Sequence, residues 1–141
     1  TELPRMKRVV LSGADYPLAD LVAASSSVPG LLAPQVVGGK RYVDGGVRSG
    51  VSVDLADPAS LLVVIAPLAG AMFGPFGKYV DRRTDAEQSE WSSHNLGRFL
   101  EFSPRSTTAH IATRPQHLFD KARAIEAYHH GRAEVAATVI E

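Results

Sequence analysis

The sequence predicts an α/β fold, and three observations carry that prediction. Short β-branched and apolar stretches at residues 8–12, 61–66 and 110–113 have strand length, with helical patterns between and after them. LLVVIA, residues 61–66, is a continuous apolar run closed by Pro67, the pattern of a strand buried on both faces in a helix-covered parallel sheet. Strands and helices alternate along the chain, which favours α/β over segregated classes.

The elements follow in order. Residues 8–12 (RVVLS) read as a short strand that meets Gly13. Pro17 suits the first position of a helix, whose face is Leu18, Leu21, Val22 and Ser25. That helix should finish near Ser27, because the residue before Pro29 is pushed out of the α region. QVV (35–37) and KRYV (40–43) flank Gly38-Gly39, two residues that tolerate positive φ, so a hairpin is expected with Asp44 at the end of its second arm. Residues 69–76 form an apolar loop punctuated by Gly and Pro. Thr84-Asp85-Ala86-Glu87 has capping-box spacing, and a helix to about Leu100 fits behind it, with Trp91, Leu96 and Phe99 as apolar surface. HIAT (110–113) reads as a last strand, ended by Pro115. From Leu118 a final amphipathic helix carries Ala122, Ile125, Tyr128, Val135 and Val139, with Gly131 a weak point inside it. Two or three strands make a small sheet with an exposed edge, so the chain reads as part of a larger fold.

The bulk properties exclude several classes. The 141 residues suit one compact domain or one half of a larger one. Fifteen basic residues balance fifteen acidic ones, which gives no electrostatic pull toward nucleic acid or an anionic membrane. No cysteine is present, so disulfides and thiolate metal sites are excluded. The longest apolar run, broken by Pro67 and Gly70, is too short to span a bilayer. No signal-peptide pattern opens the chain at Thr1; that start does not settle a compartment, and a cytoplasmic location is the expectation.

Asp44 is the residue around which the turn chemistry gathers. An Asp at a strand end, followed by Gly45-Gly46, is left uncrowded where open α/β sheets place their sites. Such a carboxylate can take a proton from a hydroxyl nucleophile. Asp-Gly is also an ordinary turn dipeptide, and the dipeptide alone favours that reading. The wider stretch, ASSSVPGLLAPQVVGGKRYVDGG (24–46), resembles the C-terminal signature of the patatin-like phospholipases. Ala24, Ser25, Pro29 and Gly30 match its small-residue block, and Tyr42, Val43, Asp44, Gly45 and Gly46 match the segment bearing the catalytic aspartate. VRSGVSVDLA, LLVVIAP and FDKARAIEAYHHGRAEVAA are similar to later parts of the family domain.

The resemblance implies that residues 1–141 are the C-terminal half of a single patatin-like domain, part of a three-layer α/β/α sandwich. It also implies a lipid acyl hydrolase using a Ser-Asp dyad, with Asp44 as general base, Gly45 and Gly46 shaping its turn, and no cofactor or metal. Substrates would be lipids or small esters, reached through transient membrane-surface contact. The sequence departs from the family in having no G-x-S-x-G elbow: residues 46–50 have the wrong spacing and 50–54 lack the last glycine. The nucleophile and the Gly-rich oxyanion segment would then come from a missing N-terminal half, in cis or on another chain, and this chain alone is expected to be inactive. Ser52 also stands where many members have Asn. The alternative is an inactive fragment acting as a binding or structural module.

Other features weigh less. Ser25, Ser26 and Ser27 lack a histidine or elbow and read as a closely packed helix end. His129-His130 point a quarter turn apart and have no third ligand at suitable spacing, while His94, His110 and His117 carry no ligand pattern. Arg82-Arg83 and Lys7-Arg8 read as solvated pairs. The apolar loop around residues 69–80 could be a lid or core packing. Thr1 could be an N-terminal nucleophile, but the α/β pattern argues against the stacked antiparallel sheets of such hydrolases.

Overall fold

The computed structural model describes residues 1–69 and 75–139, and the chain divides into two compact units, Thr1–Gly50 and Val51–Glu141. Helices and small sheets are mixed throughout, so the α/β class is borne out. Among the described residues no helix is long and apolar enough to cross a membrane.

In the first unit, helix α1 (Leu18–Ser25) precedes a hairpin of β1 (Gln35–Val37) and β2 (Lys40–Tyr42). The hairpin is as expected: Val37 pairs with Lys40, and Gly38 and Gly39 hold φ of 56° and 76° between the arms. A Cβ on Gly38 would lie 2.8 Å from the Tyr16 hydroxyl, so glycine is needed there for space as well as for φ. Residues 1–3 run antiparallel to β2, with Leu3 N–H donating to Arg41 O at 2.8 Å. Pro17 stands one place before the helix rather than at its first position, with ψ of 135°. The buried face of α1 also differs from the expected one: Ala24 is buried and Leu21 partly so, while Leu18 and Val22 are exposed. Residues 8–12 are not a strand. Their burial alternates as a strand's would, with Val9 and Leu11 half-buried and Val10 68% exposed, but no ladder partner lies beside them among the described residues. A strand is defined by its partner as much as by its own residues.

The second unit is built on a β–α–β crossover. β3 (Leu61–Ile65) and β4 (Arg98–Phe102) pair in parallel, Leu61 opposite Arg98, and α2 (Pro75–His94) connects them. The sequence expects β3 to be buried on both faces; Leu61, Val63 and Ile65 are instead exposed and Val64 is buried. Val64, Ala66, Val80 and Trp91 form the core with Val53.

Three readings in this unit are corrected. Thr84-Asp85-Ala86-Glu87 is not a helix start, for α2 begins nine residues before Thr84, at Pro75. Val80, Thr84, Glu87 and Trp91 lie on one buried stripe of that helix, at helical spacing. The Thr84 hydroxyl donates to Val80 O at 3.0 Å, and Glu87 Oε2 accepts Val53 N–H at 3.1 Å, so both polar groups are bonded inside the core. The helix stops at His94 rather than Leu100: the Asn95 amide donates back to Trp91 O at 2.8 Å, Leu96 is fully exposed, and Phe99 packs from β4. A Cβ on Gly97 would meet the Ala59 carbonyl and the Trp91 ring, so the chain passes too close there for any side chain. Residues 110–113 are no strand either; α3 (Ser106–Ala109) runs into a turn that buries Ile111 and Ala112. Helix α4 (Lys121–Val139) follows, uninterrupted at Gly131, but its apolar residues Ile125, Tyr128 and Val135 are exposed. Of the apolar loop, residues 70–74 lie outside the described residues and 75–80 open α2.

Candidate active site

The seat of Asp44 is assembled from the end of β2 and the end of α1. Val43, buried, is pinned to Thr1 in both directions: the Thr1 nitrogen donates to Val43 O at 2.8 Å, and Val43 N–H donates to Thr1 O at 2.9 Å. One residue later the Asp44 N–H donates to Ser27 O at 3.0 Å. Ser27 is itself buried at the end of α1, its hydroxyl donating to Ala23 O at 2.6 Å. The small-residue block is therefore the anchor that holds the aspartate's backbone. This is the closely packed helix end expected of the serines, and the structure adds that the backbone it holds is that of Asp44.

Past Asp44 the chain turns at once. Gly45–Val47 is one 3-10 turn, and Asp44 caps it: Gly46 N–H donates to Asp44 Oδ1 at 2.7 Å. The other carboxylate oxygen has no hydrogen bond among the described residues. A Cβ on Gly46 would stand 3.0 Å from Asp44 Oδ1, whereas one on Gly45 would meet open space. The two glycines therefore differ: Gly46 keeps room for the carboxylate, and Gly45 lines a neighbouring cavity.

That cavity has a volume of about 320 Å³ and is lined by Thr1, Val9, Leu11, Leu21, Val43 and Gly45 among others. Its walls are mostly apolar.

The remaining candidates are scattered. Ser49 is buried, and Ser52 holds φ of 57°, a left-handed conformation that Asn tolerates better than Ser. Neither serine stands on a strand-to-helix turn. His117 Nδ1 accepts Thr113 N–H at 3.3 Å, and His129 stacks edge-on to Tyr128 with ring centroids 5.5 Å apart. Among the described residues no three or more His, Cys, Asp or Glu side chains gather as a metal set.

The second unit has two carboxylates shifted in opposite senses. Burial pushes Glu101 above the usual carboxylate range, against a hydrogen bond from Ser103 and with help from Asp85 and Asp81. Glu134 is also pushed up by partial burial, but hydrogen bonds from Thr108, the Arg105 backbone and Thr107 outweigh that and hold it below the usual range. These bonds tie α4 to the start of α3, so Glu134 is a structural cap.

Residues 6–57 match the family model described as patatin-like phospholipase. The matched stretch contains α1, the hairpin, Asp44 and both glycines, so the resemblance read from the sequence is borne out there. It is a family of lipid acyl hydrolases. No curated protein and no solved structure matches the chain.

Proposed function

We propose that this chain is the aspartate-bearing part of a patatin-like serine acyl hydrolase that cleaves carboxylic ester bonds of lipids. Asp44 is the general base. The nucleophilic serine and the oxyanion donors come from residues outside 1–141, in cis or on another chain. One observation carries the reading: inside the matched segment, Asp44 has one oxygen held by Gly46 N–H at 2.7 Å and the other without a bond among the described residues.

The chemistry follows from that seat. A serine hydroxyl placed against the second oxygen passes its proton to Asp44 as its oxygen bonds to the ester carbonyl carbon. Collapse of the tetrahedral adduct breaks the ester C–O bond, and the proton on Asp44 goes to the departing alcohol. Water then repeats the sequence on the acyl-serine, with Asp44 taking the water's proton and returning it to the serine. The Gly46 bond fixes the rotamer of the carboxylate, so its reorientation does not compete with proton transfer. A lipid substrate brings transient membrane-surface contact with it.

The test uses the longer polypeptide, or the complex, that contains residues 1–141. A fluorophosphonate probe should label a serine outside this chain, detected by intact-mass spectrometry. Asp44→Ala should lower ester turnover by about 10²–10⁴-fold. Turnover by residues 1–141 alone, abolished by Asp44→Ala, would overturn the division of labour. A protein that neither labels nor hydrolyses esters would be the binding or structural module instead.

A further inference from the structure

The backbone register around Thr1 points to what fills the cavity beside Asp44. Residues 1–3 are the middle strand of a small antiparallel set. On one side Thr1 exchanges both backbone bonds with Val43. On the other, Glu2 exchanges both with Lys7, at 2.8 and 3.3 Å. Successive residues of this strand therefore bond alternately to the two sides, as an inner antiparallel strand requires.

The segment carrying Lys7 runs on past Thr1 to Leu11, while the β2 side reaches Asp44 before it turns. One step back from Glu2 is matched by one step forward from Lys7, so Thr1 faces Arg8. By the same count the first residue before Thr1 would face Val9, and the third would face Leu11. On the opposite side that first residue would face Asp44. Val9, Leu11, Val43 and Gly45 line the 320 Å³ cavity together with Thr1 and residues of α1. The burial of residues 9–11 already alternates with a period of two, although no ladder pairs them among the described residues. The Thr1 hydroxyl is buried without a hydrogen-bond partner, which in a finished core costs about 1–3 kcal/mol.

We infer that the cavity is the slot for a β-strand made by the residues directly preceding Thr1 in a longer chain, pairing with Val9 and Leu11 on one side and passing Asp44 on the other. The occupant is extended polypeptide, because residues 9–11 offer a backbone edge in register with residues 1–3 rather than an apolar surface alone. This deepens the proposed function, and rests on its view of the chain as part of a larger domain. The nucleophile-bearing half joins in cis, and its last residue before Thr1 stands opposite Asp44 in a non-hydrogen-bonded pair. Side chains are closest in such pairs, with Cα atoms about 4.5 Å apart, so that residue sets the room beside the carboxylate.

Amide hydrogen exchange on the natural polypeptide containing residues 1–141 tests this. The Val9 and Leu11 amides, which face the slot, should exchange at least about a hundredfold more slowly than in an unstructured peptide. Register is tested by a cysteine in the residue before Thr1 combined with Val9→Cys, which should form a disulfide, since hydrogen-bonded pairs have Cα atoms about 5.5 Å apart. The same cysteine with Val10→Cys should not. Residues 1–141 contain no other cysteine to confuse the result. Unprotected amides at Val9 and Leu11, bridging to Val10 instead, or a natural polypeptide that begins at Thr1 would each overturn the inference. Fluorophosphonate labelling of the same polypeptide separates the two ideas. A labelled protein without protection keeps the hydrolase and loses the strand, whereas protection without labelling does the reverse.

Discussion

The two units hold themselves together in different ways. In the first, the buried cluster is small, Ala24, Val37 and Tyr42, and named backbone bonds do the placing: Asp44 to Ser27, Val43 to Thr1, and Gly46 to the Asp44 carboxylate. In the second, α2 lays Val80, Thr84, Glu87 and Trp91 along one stripe, where Val80 and Trp91 join Val53 and Val64, and burial does most of the work. A candidate site needs a carboxylate oriented to a fraction of an ångström, and short-range turns and hydrogen bonds supply that directionality. Apolar packing is not directional, and it dominates in the unit that does not carry Asp44.

Substitutions in both units sharpen this contrast. The largest effect should come from Trp91→Ala. The side chain is 2% exposed, and its indole N–H donates to Asp57 O at 3.4 Å. Its loss should cost about 3–5 kcal/mol, read as a fall in the urea midpoint. Asp44→Ala should shift that midpoint by no more than about 1 kcal/mol, the worth of a cap. If the two variants are equally destabilised, the contrast between the units fails.

Next is Gly46→Ala in the polypeptide that carries the nucleophile. The added methyl stands 3.0 Å from Asp44 Oδ1, so the carboxylate must give way, and kcat should fall by about tenfold. Gly45→Ala turns its methyl away from the carboxylate, toward the neighbouring cavity, and should lower kcat less. Equal effects would mean that carboxylate placement does not matter to the reaction.

The smallest effect concerns pH. Burial raises the Glu101 pKa above its ordinary value, so the folded state holds its proton more tightly than the unfolded state does. Its contribution to stability therefore falls as pH rises from the ordinary carboxylate value through the folded one. Glu101→Gln should remove that slope, giving a protein more stable than the parent at about pH 7 and similar at about pH 3. Glu134 runs the other way: its lowered pKa contributes stability above the ordinary value, lost as pH falls through the folded one. Urea midpoints across pH for Glu101→Gln and Glu134→Gln should diverge in opposite senses.

Legibility in the sequence followed the range of the interaction responsible. Gly38-Gly39 between β-formers, and Asp44 before two glycines, depend on residues a few places apart, and both turns stand where the sequence expects them. Thr84 and Glu87 show the opposite case. Their T-D-A-E spacing satisfies the rule for a helix start, yet both are buried in the middle of α2. Glu87 is there because the Val53 N–H, thirty-four positions away, needs an acceptor. Residues 98–102 became a strand beside β3, whereas residues 110–113 pair with no strand among the described residues and instead turn to bury Ile111 and Ala112.

By itself, then, the sequence determined the α/β class, the hairpin, the turn at Asp44 and the family of the segment around it, because local steric preferences decide those. Only the tertiary structure decided which face of each helix is buried, which apolar run becomes a strand, and that Ser27 and Thr1 brace the aspartate. Those outcomes are set by partners distant in the chain, whose hydrogen bonds and burial outweigh local propensity.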